Sequence, residues 1–168
     1  SLCGMVALEW SFQYPQDFKR QVIMNGSCSD SCSIIERLKP ISLPAFFKVP
    51  IAKTTLEQEQ LILGFNVNYA DLRDHNLLKQ WQNFAENSPN NTFNIAKQLY
   101  VAINFSSPKK VHIPSLFLTS KGDQLVSYRC SKKLAKKYNC NIKVHEKAGH
   151  DLTHDEPYWV AEQIKEMT

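Results

Sequence analysis

Two strand-like runs in the last third of the chain each lead to a glycine followed at once by an ionisable residue. Pro114-Ser115-Leu116-Phe117-Leu118-Thr119-Ser120-Lys121 runs into Gly122-Asp123, and the alternating run Asn141 to His145 leads, through Ala148, into Gly149-His150. The first has the apolar density of a parallel strand buried on both faces. A glycine at the end of such a strand lets the chain turn away sharply, so the next residue is presented beyond the strand's C-terminal end. An imidazole and a carboxylate presented in the same way can work together. His150 is the candidate proton carrier, and Asp123 the group that holds its tautomer and stabilises the imidazolium. Asp151, directly after the histidine, is the rival carboxylate and is read as a cap or brace of the loop.

The same alternating texture extends to both ends of the chain. Residues 2–13 read as a helix whose apolar density (Leu2, Met5, Val6, Leu8, Trp10) implies burial on more than one side. Residues 19–24 read as a buried parallel-type strand, and Asn25-Gly26 turns the chain away from it. Residues 111–119 form a strand with Pro114 near its start, 124–138 a helix, and 141–146 a strand. Asp155 or Glu156 begins a last helix with Pro157 in its first turn, where a missing N–H costs nothing. Val160, Ile164 and Met167 are expected to face the sheet.

Between Ser27 and about Ser107 the strand signal disappears. Pro40, Pro44 and Pro50 break the first part into short pieces, with one helix expected near residues 31–38. Thr54 or Thr55 can cap a helix running to about Asn66. Asp74 can cap a second helix carrying Leu77, Leu78, Trp81 and Phe84. Asn91 or Thr92 can cap a third carrying Ile95, Leu99, Ala102 and Ile103.

Composition narrows the class of function. The chain has 168 residues, enough for one domain, with 43% hydrophobic and 21% charged residues. The net charge of +4 is scattered rather than interleaved with aromatics, which disfavours nucleic acid as a partner. No apolar run approaches the length of a membrane span, so no membrane association is expected. Five cysteines without regular spacing point to reduced thiols in a cytoplasmic protein rather than a disulfide framework. Cys28 and Cys32 have no matching second pair for zinc, and Gly149 interrupts the helix that a zinc-binding His145-Glu146…His150 motif would need. No metal and no other cofactor is expected. His75, His112, His145 and His154 are read as structural or surface histidines.

Three stretches, SLCGMVALEW with FKRQVIMNGS, IPSLFLTSKGDQLVS and AGHDLTHDEPYWV, resemble the α/β-hydrolase family from its nucleophile elbow onward. The order Ser1, Asp123, His150 is the order of that family's catalytic triad. The resemblance implies an α/β class chain with an incomplete α/β-hydrolase fold: about three parallel strands flanked by helices, with an all-helical cap insertion. Residues 1–26 and 108–168 would be the C-terminal part of the core, and 27–107 the cap. NIAKQLYVAINF is similar to cap helices of the family. It further implies Ser1 as nucleophile, the Leu2 backbone N–H as one oxyanion-hole donor, Asp123 and His150 as the other triad members, and no metal. The place of the family's second elbow glycine is taken by Cys3.

The implied activity is cleavage of an ester or similar acyl bond of a small organic substrate. With no initiator Met and the nucleophile at position 1, the chain is expected to be a piece of a longer protein and to be catalytically impaired alone. Two alternatives stay open: an inactive hydrolase fragment serving as a binding or assembly module, and an N-terminal nucleophile whose own amine is the base. The strand at 19–24, lacking a neighbour on one side, is expected to drive homo-oligomerisation through its exposed edge.

Overall fold

The computed structural model of the protein describes residues 2–69, 75–88 and 92–167. Three strands, β1 (Gln21–Met24), β2 (Ser115–Ser120) and β3 (Asn141–His145), form one parallel sheet in the order β1-β2-β3. Gln21 lies opposite Ser115, and Leu116 opposite Asn141. The α-helices among the described residues are, in chain order, α1 (Leu2–Gln13), α2 (Ile34–Arg37), α3 (Leu43–Lys48), α4 (Thr55–Asn66), α5 (His75–Asn87), α6 (Thr92–Asn104), α7 (Tyr128–Tyr138), α8 (Leu152–Asp155) and α9 (Pro157–Lys165). No helix among the described residues is long and apolar enough to cross a membrane.

β2 is the centre of the molecule, and its period-two alternation feeds two cores. Phe117 points to one face, where it joins Ile23 with Met5 and Leu8 of α1 and Leu134 and Ala135 of α7. Leu116 and Leu118 point to the other face and join Ala148, Leu152 of α8 and Val160 of α9. Both faces are covered, so the strand carries no polar alternation and its last five residues are all buried. Burying each of these large side chains contributes about 1.5–3 kcal/mol.

Several expected boundaries shift for identifiable reasons. β2 begins at Ser115 rather than at 111: Pro114 has no N–H to give a ladder, and only its carbonyl joins in, accepting from Gln21 N–H at 3.0 Å. α7 begins at Tyr128 rather than at 124. The Asp123 carboxylate draws the N–H groups of Leu125 and Val126 into a turn, and Ser127 then caps the helix. α1 is buried along one face only, through Met5, Leu8 and Ser11. Val6 (55% exposed) and Trp10 (51%) face outward, because the sheet lies on one side of the helix. In α9, Val160 is buried and Met167 packs beside it, whereas Ile164 is exposed.

The described residues between Ser27 and Ser107 contain helices and no strand. The prolines read as breakers act as starters: Pro40, Pro44 and Pro50 each occupy the first turn of a short helical piece, where the missing N–H is harmless. Ser33 and Glu36 form a reciprocal capping box on α2, and Thr54 accepts from Glu57 N–H at 3.1 Å to open α4. Asp74 and Asn91, two of the expected caps, lie outside the described residues. Leu63, Val67 and Leu78 join α4 to α5 in a small core of their own. At the two ends of the insertion, the Asp30 carboxylate accepts from Ser107 N–H and Oγ–H, both at 2.8 Å, and from Lys137 Nζ at 2.8 Å. Burial opposes the charged form of Asp30, but the bonds from Lys137 and Ser107 outweigh it and hold the carboxyl below the usual range.

Candidate active site

The parallel sheet places the exits of β2 and β3 side by side, and both exits turn on glycines with no room for a side chain. A β-carbon on Gly122 would meet the Lys147 carbonyl and lie 2.8 Å from Ala148 O. One on Gly149 would lie 2.5 Å from Asn66 O. The two loops therefore touch backbone to backbone, and the residue after each glycine is carried to the same point.

At that point His150 Nδ1 lies 2.8 Å from Asp123 Oδ2. Asp123 is 1% exposed, and its other oxygen accepts from Leu125 N–H at 2.8 Å and Val126 N–H at 2.9 Å. A carboxylate held by two backbone donors is an acceptor, so the proton of the pair belongs on Nδ1 and the lone pair on Nε2. Nε2 takes no hydrogen bond from the described residues, and the side chain retains 10% exposure. This arrangement orients an imidazole for proton abstraction at Nε2 and stabilises the resulting cation.

The surrounding shell is dense. Ser120 Oγ donates to Ala148 O at 2.5 Å and accepts from Gly122 N–H at 3.1 Å, crossing from one loop to the other. Lys39 Nζ donates to the Asp123 carbonyl. Asn68 Nδ2 donates to Gly122 O at 2.9 Å and to Lys147 O at 2.7 Å. Asp155 accepts from Gly149 N–H at 2.5 Å, Asn68 N–H at 2.9 Å and Tyr69 N–H at 3.0 Å. Asn25, directly after β1, donates through Nδ2 to the His150 carbonyl at 2.7 Å.

Of the residues singled out from sequence, Asp123 and His150 are brought together. Asp151 instead caps α8, accepting from His154 N–H at 3.1 Å. Leu2 is the first residue of α1, and Ser1 lies outside the described residues. His145 serves its own loop, with Nδ1 accepting from Lys147 and Ala148 N–H, while His112 stacks on Phe12 and His154 meets the Trp81 ring edge-on. The cysteine thiols are free, and burial pushes that of Cys28 up to about 12. Asn25, Asn68, Ser120, Lys39 and Asp155 were not expected at the site. Only Asn25-Gly26 carried a signal, since asparagine before glycine favours the left-handed backbone found there.

The arrangement of strands, helices and strand-end loops recurs in solved structures. A meta-cleavage product hydrolase from Pseudomonas fluorescens IP01 superposes with a TM-score of 0.71 at 16% identity, over 98% of this chain and 60% of that one. The chain carries part of the α/β-hydrolase fold. A 2-hydroxy-6-oxo-6-phenylhexa-2,4-dienoate hydrolase from Rhodococcus sp. strain RHA1 has the same α/β-hydrolase fold, with a TM-score of 0.68 at 16% identity over 98% of this chain and 60% of that one. A carboxylesterase from Bacillus subtilis matches with a TM-score of 0.66 at 15% identity, over 99% and 57%. The chain thus spans about 60% of the length of the α/β-hydrolase structures it matches. No family model and no curated protein sequence matches it.

Proposed function

We propose that the chain is the C-terminal part of a serine hydrolase that cleaves an ester or similar acyl bond of a small organic substrate. The observation that carries this reading is the His150–Asp123 pair, with Nδ1 to Oδ2 at 2.8 Å and the second carboxylate oxygen already fixed by two backbone N–H groups. In this reading His150 Nε2 takes the proton of the Ser1 hydroxyl as it attacks the acyl carbon. It then returns the proton to the leaving alkoxide, giving the alcohol and an acyl-Ser1. A water deprotonated by the same Nε2 attacks that ester, and the proton goes back to the departing Ser1 oxygen, while Asp123 stabilises the imidazolium in each half. The Leu2 N–H serves as one oxyanion donor, and residues 27–107 act as a cap over the site. The chain spans about 60% of the length of the structures it matches, and since losing a single oxyanion donor lowers turnover by about 10²–10³, low turnover by this chain alone is part of the reading.

Fluorophosphonate labelling tests the assignment directly. The chain is expected to be labelled at Ser1 and to lose labelling in His150→Ala. Labelling that persists in His150→Ala, or that falls on another serine, would sink the triad.

One observation favours a second reading, an assembly module without turnover. A groove of about 400 Å³ between α1 and α6 is lined by Leu2, Met5, Val6, Trp10, Val101 and Phe105. Beside it, β1 pairs only with β2 among the described residues. That edge and the apolar face of α1 would then join a second copy of the chain. Light scattering over a concentration series separates the readings: a chain monomeric at every concentration excludes the homo-oligomer.

A further inference from the structure

Asn25 has one of two non-glycine backbones with positive φ among the described residues, at 46°, and is 1% exposed. Asparagine is among the few residues that adopt this conformation readily. Here it swings the side chain across the sheet end instead of away from it. The backbone N–H extends the β1–β2 ladder by donating to Leu118 O at 2.9 Å. Oδ1 accepts from Thr119 Oγ at 2.9 Å and from Ser120 N–H at 3.2 Å, while Nδ2 donates to His150 O at 2.7 Å. The orientation of the amide is fixed by its neighbours, because Ser120 N–H can only donate and the His150 carbonyl can only accept. One buried side chain thus measures the distance from the end of β2, where the Asp123 loop starts, to the backbone of His150.

We propose that Asn25 is a positioning residue that sets where the His150 imidazole stands relative to Asp123. This rests on the proposed role of the His150–Asp123 pair, and it assigns a task to the end of a third strand that contributes no acid or base. The chemistry needs a primary amide. Aspartate could accept the two bonds at Oδ1 but would face the His150 carbonyl with an oxygen. Glycine would keep the backbone and leave that carbonyl unbound.

The test uses the full chain labelled with ¹⁵N-histidine, with the His150 tautomer and the water exchange of its Nδ1 proton read by NMR. The native chain is expected to show the Nδ1-protonated form. In Asn25→Gly, which keeps the left-handed backbone, exchange should be about tenfold faster, as for loss of a hydrogen bond of ordinary strength. Asn25→Asp should behave likewise. Thr119→Val, which removes one bond to Oδ1 but leaves Nδ2 in place, should leave His150 unchanged. So should Asn139→Gly, at the other positive φ of 53°, which closes α7 away from the site. Unaltered exchange in both Asn25 variants overturns the assignment. So does failure of both to fold, which would make Asn25 a folding element only. If the Asn25 variants change exchange as expected but the native chain is not labelled by fluorophosphonate, the positioning role stands and the hydrolase reading falls.

Discussion

The two halves of the helical stretch between β1 and β2 are anchored differently. The first, residues 27–69, is tied into the strand-end loops: Lys39 to the Asp123 carbonyl, Asn68 to Gly122 O and Lys147 O, and Asn66 O to Asp151 N–H at 2.9 Å. The second, α5 and α6, makes none of these bonds to the strand-end loops among the described residues; it meets α4, the His154 ring through Trp81, the core beside α1 through Ala102 and Phe105, and the first half through Arg37 and Ser29. Its outer surface leaves Phe84 (72%), Phe93 (65%) and Tyr100 (71%) exposed. Exposed apolar side chains occur in both halves, Ile41 (70%), Phe47 (65%) and Ile51 (76%) among them in the first, so the difference lies in the hydrogen bonds: the first half is part of the frame around His150 and Asp123. Residues 27–69 cannot move away from the strand-end loops without breaking the hydrogen bonds of Lys39 and Asn68 to Asp123, Gly122 and Lys147.

The sharpest way to break that comparison is to remove the acceptor shared by insertion and site. Asp155→Ala removes the acceptor of the Gly149, Asn68 and Tyr69 N–H groups; the exposed Tyr69 N–H turns to water, while the part-buried Gly149 and Asn68 donors are left unsatisfied at about 1–3 kcal/mol each. Urea unfolding should register a loss of about 2 kcal/mol or more, with the His150 tautomer disturbed. A loss below about 1 kcal/mol would mean that the two halves are anchored alike. Arg37→Ala should act more locally. Its guanidinium donates to Ile103 O at 2.7 Å and to Ala102 O, closing the C-terminal end of α6. A loss of about 1–2 kcal/mol, with faster amide exchange in α6 and unchanged exchange in α4, is the expected pattern.

Acid should loosen the insertion where it enters and leaves the core. The folded-state value of Asp30 is depressed, so the stability it supplies is present above its unfolded value and is lost as pH falls through the folded one. Asp30→Asn should remove that part of the acid dependence while leaving the neutral-pH spectrum intact. A variant with the same acid profile as the native chain would show that the clamp at Ser107 and Lys137 contributes nothing. The smallest effects belong to exposed side chains of α6. Tyr100→Ser and Phe93→Ser should each shift stability by no more than about 0.5 kcal/mol, and a larger loss in dilute solution would mean that this surface is covered.

The sequence disclosed that Asp123 and His150 come together but little of what supports them. Gly122-Asp123 and Gly149-His150 are local patterns: an apolar run, a glycine, an ionisable group. Local patterns survive in a single sequence. The groups that hold the two loops come from Asn25, Asn68 and Asp155, far apart in the chain, and nothing within a few residues of each marks it as bonding to those loops. The limits of α7 and β2 were misread for the same reason. They depend on where the Asp123 carboxylate and the Pro114 carbonyl find their hydrogen bonds, which is decided by the fold. The outward face of α1 was misjudged because apolar density reports what could be buried, not how many sides of a helix have something to pack against.

The sheet order β1-β2-β3 also has a consequence in time. β2, α7 and β3 are consecutive, so their pairing closes a short stretch of chain, whereas β1 can reach β2 only by closing a loop of roughly 90 residues, an entropic cost that must be met before any contact rewards it. Refolding should therefore assemble the 115–145 unit first, stacking Phe117 on Tyr138, and dock β1 afterwards. The Asp123 turn would be formed while the amide of Asn25 was still in water, and His150 would reach its final place only in the last step. Pulsed hydrogen exchange during refolding gives the order directly: amides of β2 and β3 should gain protection before those of residues 21–24, and the reverse order would place nucleation in the longest loop of the chain.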